Sequence, residues 1–146
     1  MIDGRGKLLG YGKMPIRKLQ GKGKTRREID VTSLASLVLP LLRGTVIGAI
    51  EVAHAMPGQG VRSMFTFGQS YGTMRCFLEL TCTEVNHHDP PKWQREIFGG
   101  KVEDTKKESL IEAVRLYPTI KIGRNHGISD AILIARHSYN SYGRTD

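Results

Sequence analysis

The sequence predicts an α/β fold, and three features carry that expectation. Val46 to Val52 is a short apolar run, rich in β-branched residues and interrupted by one carboxylate, Glu51. A loop with two glycines and a proline follows, and beyond it the apolar residues switch to three- and four-residue steps up to Leu80, which is the change from strand to helix period. Helical patterns recur at about 105–116 and 128–139. A chain of 146 residues fits one domain, 1–146, with a core of its own. Its 39% apolar and 25% charged residues are ordinary for a soluble protein. The charge balance is less ordinary. There are 22 Lys and Arg against 14 Asp and Glu, with a pI near 9.7. That excess suits a polyanionic partner, nucleic acid before a membrane because no strongly amphipathic basic helix is present. The plainer reading is a basic, unspecific surface.

In chain order, residues 1–14 read as a strand end, a turn at Asp3-Gly4-Arg5-Gly6 and a strand from Lys7 to Met14. Lys13, Arg17, Lys18, Lys22, Lys24, Arg26 and Arg27 come next, with Gly21 and Gly23 and no apolar period. This predicts a basic flexible loop over 15–29, either an arm that follows phosphates and orders on binding or a solvated linker. Asp30 is placed to cap a helix over 31–42 whose stripe is Leu34, Leu37, Val38, Leu41 and Leu42. A strand over 45–53 follows. An unpaired carboxylate inside so apolar a run costs several kcal/mol, so Glu51 belongs near the strand end, facing a cation or reaching water. His54 is read as a loop hydrogen bonder, with contact to metal or nucleic acid as the alternative.

Met56-Pro57-Gly58-Gln59-Gly60 leads into a helix over 63–80. Glycines allow close backbone approach, and the open amides of a helix start attract phosphate; Gln59, Arg62 and Ser63 can add contacts. Met64, Phe67, Tyr71, Met74 and Leu78 form the expected core stripe, while Phe65 lies off it as a stacking candidate. A strand over 81–86 precedes His87 and His88, whose adjacency on a strand points them to opposite faces and argues against a shared zinc site. Pro91 starts a short helix that buries Trp93, Ile97 and Phe98 before Gly99-Gly100. The helix over 105–116 is expected to bury Leu110, Ile111 and Val114 and to expose Lys106 and Lys107. In the last helix Asp130 occupies the first turn, where a helix start stabilises a carboxylate, and His126 lies four residues upstream on the same side. Cys76 and Cys82 are the only cysteines; without a Cys-x-x-Cys spacing they read as small packed hydrophobes.

The stretch Glu51-Val-Ala-His-Ala-Met-Pro-Gly-Gln-Gly-Val-Arg-Ser-Met-Phe-Thr-Phe-Gly-Gln-Ser-Tyr-Gly72 closely resembles the signature of RuvC-like crossover junction endodeoxyribonucleases, in the form found in phage and related genomes. The resemblance continues through Trp93, Phe98-Gly99-Gly100, Lys107 and Gly127-Ile-Ser-Asp130-Ala-Ile-Leu-Ile-Ala135, covering nearly the whole chain. It implies an RNase H-like mixed sheet flanked by helices and metal-dependent cleavage of four-way (Holliday) or other branched DNA, in recombination or repair. Glu51 and Asp130 are then metal ligands for Mg²⁺, or Mn²⁺, with His126 a third ligand or a proton-transfer group. Lys107, with Lys106 as the alternative, is expected near the scissile phosphate. DNA contacts are expected from Lys18, Lys22, Lys24, Arg26, Arg27, Gly58, Gln59, Gly60, Arg62, Ser63, Phe65 and Lys106. The family's symmetric cutting implies a homodimer, and the location implied is cytoplasmic and nucleoid-associated, with a phage gene in a bacterial host as one origin.

One family element is absent. RuvC-like chains begin with a central strand that carries a metal-binding Asp, whereas this sequence starts within the second strand, so the central strand is expected to be missing. Asp3 sits in the following turn and does not take that role. Either Met1 is an internal methionine or the protein lacks the strand. The alternative expectation is therefore a junction-binding protein impaired in cutting, or an inactive fragment.

Overall fold

The computed structural model describes residues 1–21, 25–55 and 57–142. Its elements are β1 (Ile16–Gln20), β2 (Thr25–Ile29), α1 (Val31–Val38) with a 3-10 turn at Leu39–Leu41, β3 (Ile47–Glu51), α2 (Val61–Thr81), β4 (Glu84–His88), α3 (Pro90–Phe98), α4 (Thr105–Leu116) and α5 (His126–Tyr142). The class is mixed α/β. β1 pairs with β2 and β3 with β4, so the described strands form two small sheets rather than the single mixed sheet that the resemblance implies. Thr83 N donates to Val46 O and Val52 N to His88 O; the order is the same on both strands, so β3 and β4 run parallel across the α2 crossover. The chain divides into two units, Met1–Lys13 with Ala49–Val52 and Asn86–Asp146, and Met14–Gly48 with Ala53–Val85.

The first unit holds the main hydrophobic core. Trp93 of α3, Ala113 of α4, Tyr117, Ile120 and Ile122 of the following connection, and Ile132, Leu133 and Ile134 of α5 form it. α4 spans the residues that its periodicity predicts, capped by Asp104, which accepts from Lys107 N at 3.0 Å. Its buried side differs from expectation. Ser109 and Ala113, one turn apart, face inward, while Ile111 and Val114 are 49% and 44% exposed. Small residues let two helices approach closely; of the expected stripe Leu110 does pack against the core, whereas Ile111 and Val114 do not. The expected strand over 7–14 reduces to one bridge, Ile2 to Leu8. Asp3 Oδ1 accepts from Arg5 N and Lys7 N, both at 2.9 Å, so this carboxylate builds the turn. Those backbone bonds hold its pKa below the ordinary value.

In the second unit, the expected basic loop over 15–29 is instead a hairpin. Its register runs from Ile16 opposite Ile29 to Gln20 opposite Thr25. A ladder of backbone hydrogen bonds needs no buried face, and β1 is exposed throughout, so an apolar period gives no sign of it. Lys22 and Lys24 lie outside the described residues, as does Met56. α1 is capped by Asp30, which accepts from Ser33 N at 3.1 Å. It ends at Val38 because Pro40 has no amide to continue the ladder, and of its expected stripe only Leu34 is buried. α2 runs on to Thr81, which moves β4 from the expected 81–86 to Glu84–His88. Along α2 the buried residue is Phe77; Phe67, expected inside, is 51% exposed, and Cys76 is exposed rather than packed. Gly48 of β3 is a point of close approach. A Cβ there would meet Cys82 Sγ at 3.1 Å and Leu78 Cδ2 and Val85 Cγ2 at 3.4 Å.

Candidate functional site

In the first unit, the start of α5 and the start of α4 bring four groups of interest together. Asn125 begins α5, its side chain accepting from Ile128 N at 3.2 Å, which sets Asp130 in the helix's second turn. Burial raises the Asp130 pKa above its ordinary value, against the weaker downward pulls of the Ser109 hydroxyl, His126 and Lys106. The Ser109 oxygen is buried beside this carboxyl, yet short of a well-formed hydrogen bond; it has no partner among the described residues. His126 Nδ1 lies 3.2 Å from Lys106 O. A carbonyl can only accept, so Nδ1 carries the hydrogen and a neutral ring keeps its Nε2 lone pair for another partner.

Of the two candidate lysines, Lys106 is the one that acts on Asp130. Lys107 is exposed, and its backbone amide is committed to the Asp104 cap. Glu51 is the last residue of β3, half-buried, and its Oε1 accepts from Trp93 Nε1 at 2.9 Å. Trp93 is fully buried and its indole N–H must find an acceptor. In place of the cation or water expected for Glu51, an indole N–H engages its Oε1. No group of three His, Cys, Asp or Glu among the described residues is arranged to hold a metal ion. Asp130 and His126 are thus brought together, and Glu51 is not gathered with them into one ligand set.

Most of the described residues expected to contact nucleic acid lie in the second unit. Lys18, Arg26 and Arg27 lie on the exposed hairpin, where Arg26 is hydrogen-bonded to Gln69 of α2. Gly58 has φ of +81°, a backbone state that L side chains rarely adopt. Gly60 is the N-cap of α2 and supplies no side-chain bond, so the first-turn amides are open beside Arg62 and Ser63. Gln59, Arg62, Ser63 and Phe65 are all exposed, Phe65 by 69%. No helix among the described residues is long and apolar enough to cross a membrane.

No protein-family model matches the chain, and no curated protein matches it.

Sequence reasoning missed a second polar cluster in the first unit. His87 is exposed and His88 buried, as their alternation on a strand requires. His88 Nδ1 lies 3.0 Å from His137 Nδ1, and His137 Nε2 lies 2.9 Å from Glu96 Oε2. Only one proton fits between the two Nδ1 atoms, and His88 Nε2 is buried without a partner. His137 and Glu96 also line an open pocket of about 270 Å³ with Ile97, Asn140 and Ser141. His88 and His137 stand 49 residues apart, too far for any local pattern to pair them.

Proposed function

We propose that this protein is a metal-dependent endonuclease of the RuvC-like type, cutting four-way or other branched DNA by phosphodiester hydrolysis. The observation that carries the reading is the Asp130 carboxyl, half-buried with Lys106 and His126 only weakly opposing the effect of burial, next to a histidine anchored through Nδ1. Asp130 and His126 would hold a divalent ion, which would add positive charge beside the carboxylate. Asp130 oxygen and His126 Nε2 fit two positions of a Mg²⁺ or Mn²⁺ site. Glu51, which the resemblance makes a further ligand, has Oε1 engaged by Trp93 and would offer a metal only Oε2. Bound there, the ion would polarise the phosphoryl oxygen and lower the pKa of its water.

The chain's own groups do the rest. Lys106, and Lys107 beside it, hold a non-bridging phosphate oxygen. His126 Nε2 accepts or returns a proton where it does not ligate. The hairpin cations and the open amides at the start of α2 bind the DNA backbone. A homodimer would supply two such sites for symmetric cutting.

The incomplete ligand set favours one second reading: a protein that binds junctions without cutting them. Cleavage of a labelled four-way junction in Mg²⁺, beside a matched linear duplex, separates the two. Junction-selective cutting, abolished by Glu51→Gln and by Asp130→Asn, supports the nuclease. Tight junction binding with no cutting in Mg²⁺ or Mn²⁺ supports the binding protein and overturns the nuclease reading.

A further inference from the structure

Directly opposed residues of an antiparallel ladder project from the same face. The hairpin register therefore sorts its side chains into two sets. Arg17, Leu19, Arg26 and Glu28 share one face; Ile16, Lys18, Gln20, Thr25, Arg27 and Ile29 share the other. On the first face the cations are occupied. Arg17 is paired with Glu28 at 2.6 Å, and Arg26 is bonded to Gln69. On the second face Lys18 stands directly opposite Arg27. Both are exposed, no carboxylate shares their face, and neither forms an ion pair among the described residues. Like charges directly opposed destabilise a sheet pair, and a two-stranded hairpin has little stability to lose. Such a pair weakens the free protein and favours any complex in which an anion lies against both cations.

We propose that the Lys18/Arg27 face of the hairpin is a phosphate clamp for nucleic acid. The partner follows from shape as well as charge. A two-stranded ribbon is an element that the major groove of B-DNA admits, with phosphates along both of the groove's edges. Gln20 and Thr25, the pair next to Lys18 and Arg27 on the same face, add neutral hydrogen-bonding groups. The opposite face contributes less to the salt-dependent attraction, because Glu28 neutralises its Arg17 and leaves only Arg26, bonded to the uncharged Gln69, with an unbalanced charge. The clamp rests on the nucleic-acid part of the proposed function and is independent of whether the DNA is cut.

The test is the salt dependence of binding, measured by fluorescence anisotropy on a four-way junction and a linear duplex in EDTA, so that no cleavage intervenes. Each phosphate contact contributes about 0.9 to the slope of log K against log salt. Lys18→Ala with Arg27→Ala should lower that slope by about two on both DNAs, so that the wild type loses about tenfold more affinity than the variant between roughly 50 and 200 mM salt. The charge-neutral pair Arg17→Gln with Glu28→Gln should leave the slope unchanged, and Lys18→Arg should retain it. The double alanine variant should unfold at the same or a higher urea concentration than the wild type, because a repulsion is removed. An unchanged slope in that folded variant overturns the clamp while leaving the nuclease reading standing. Wild-type protein that binds no DNA sinks both. Binding to phosphatidylserine vesicles that the double variant loses, with DNA binding intact, overturns the clamp and assigns the face to a membrane surface.

Discussion

Lowering the pH should destabilise this protein through one buried histidine. His88 is 7% exposed and its pKa is lowered to about 4, first by burial, then by the positive charge available to His137 and His87, with Lys92 adding a little and Glu96 opposing. In the unfolded chain the same imidazole titrates at its ordinary 6.5. Below that value the unfolded state binds the extra proton and the fold does not. The stability present above pH 6.5 is therefore lost as the pH falls towards 4, and the loss then levels off. The difference between the two pKa values corresponds to at most about 3 kcal/mol. The cluster is open on the Glu96 and pocket side, and solvent screening there reduces the expected loss to about 2 kcal/mol. Urea unfolding at a series of pH values, on wild type and His88→Asn, isolates the effect. Asn keeps a polar atom near the Nδ1 position but does not titrate. With a urea slope of about 2 kcal/mol per molar, the wild-type midpoint should fall about 1 M further than the variant's between pH 7.5 and 4. Parallel curves would show that His88 is charged in the fold or relieved by water, and the argument from its burial would fail with them.

Two further perturbations test other parts of the molecule. Gly48→Ala places a methyl group 3.1 Å from Cys82 Sγ in a packed strand, and overpacking of that kind costs about 1–3 kcal/mol; a thermal melt by circular dichroism should show a drop of several degrees, and an unchanged melt would mean that β3 and α2 have room to part. Asp130→Asn should stabilise the protein while abolishing cleavage. Burial raises the Asp130 pKa, so the fold holds this proton more tightly than the unfolded chain does, and the stability it confers is lost as the pH rises through the folded value. The neutral amide escapes that loss, so the variant's urea midpoint should exceed the wild type's at pH 7.5, with the gain shrinking at acid pH. Added Mg²⁺ should raise the wild-type midpoint and leave the variant's where it is; a variant less stable at every pH would make Asp130 a structural residue.

What could be read from the sequence was what local rules determine. Asp30 caps α1; α4 has its predicted limits; Trp93 is buried and Glu51 closes its strand. Each depends on a period or a cap within a few residues. The turn of α4 onto its Ser109 and Ala113 side was not legible, because close packing there favours small residues over the apolar ones that a periodicity argument seeks. Nor was the Trp93 bond to Glu51, across 42 residues, or the His88–His137 contact. The hairpin was hidden for a different reason. Its strands bury almost nothing, so their order comes from backbone hydrogen bonds that leave no mark on side-chain pattern.

The two units carry opposite electrostatic deficits. Around Asp130 a carboxylate is desolvated with too little positive charge beside it; on the hairpin Lys18 faces Arg27 with no negative charge on their side. Each arrangement costs the isolated protein stability, and on the proposed function each would be relieved by a different partner, a metal ion in the first case and a phosphate backbone in the second. A protein selected only for stability would lose both at the cost of one substitution each. Because the deficits lie in different units, their relief is separable. Mg²⁺ without DNA should stabilise through Asp130 and ignore Lys18, whereas DNA in EDTA should bind through Lys18 and Arg27 and be indifferent to Asp130→Asn. If both effects tracked the same substitution, the charges would be acting as one diffuse field, and neither site as described would exist.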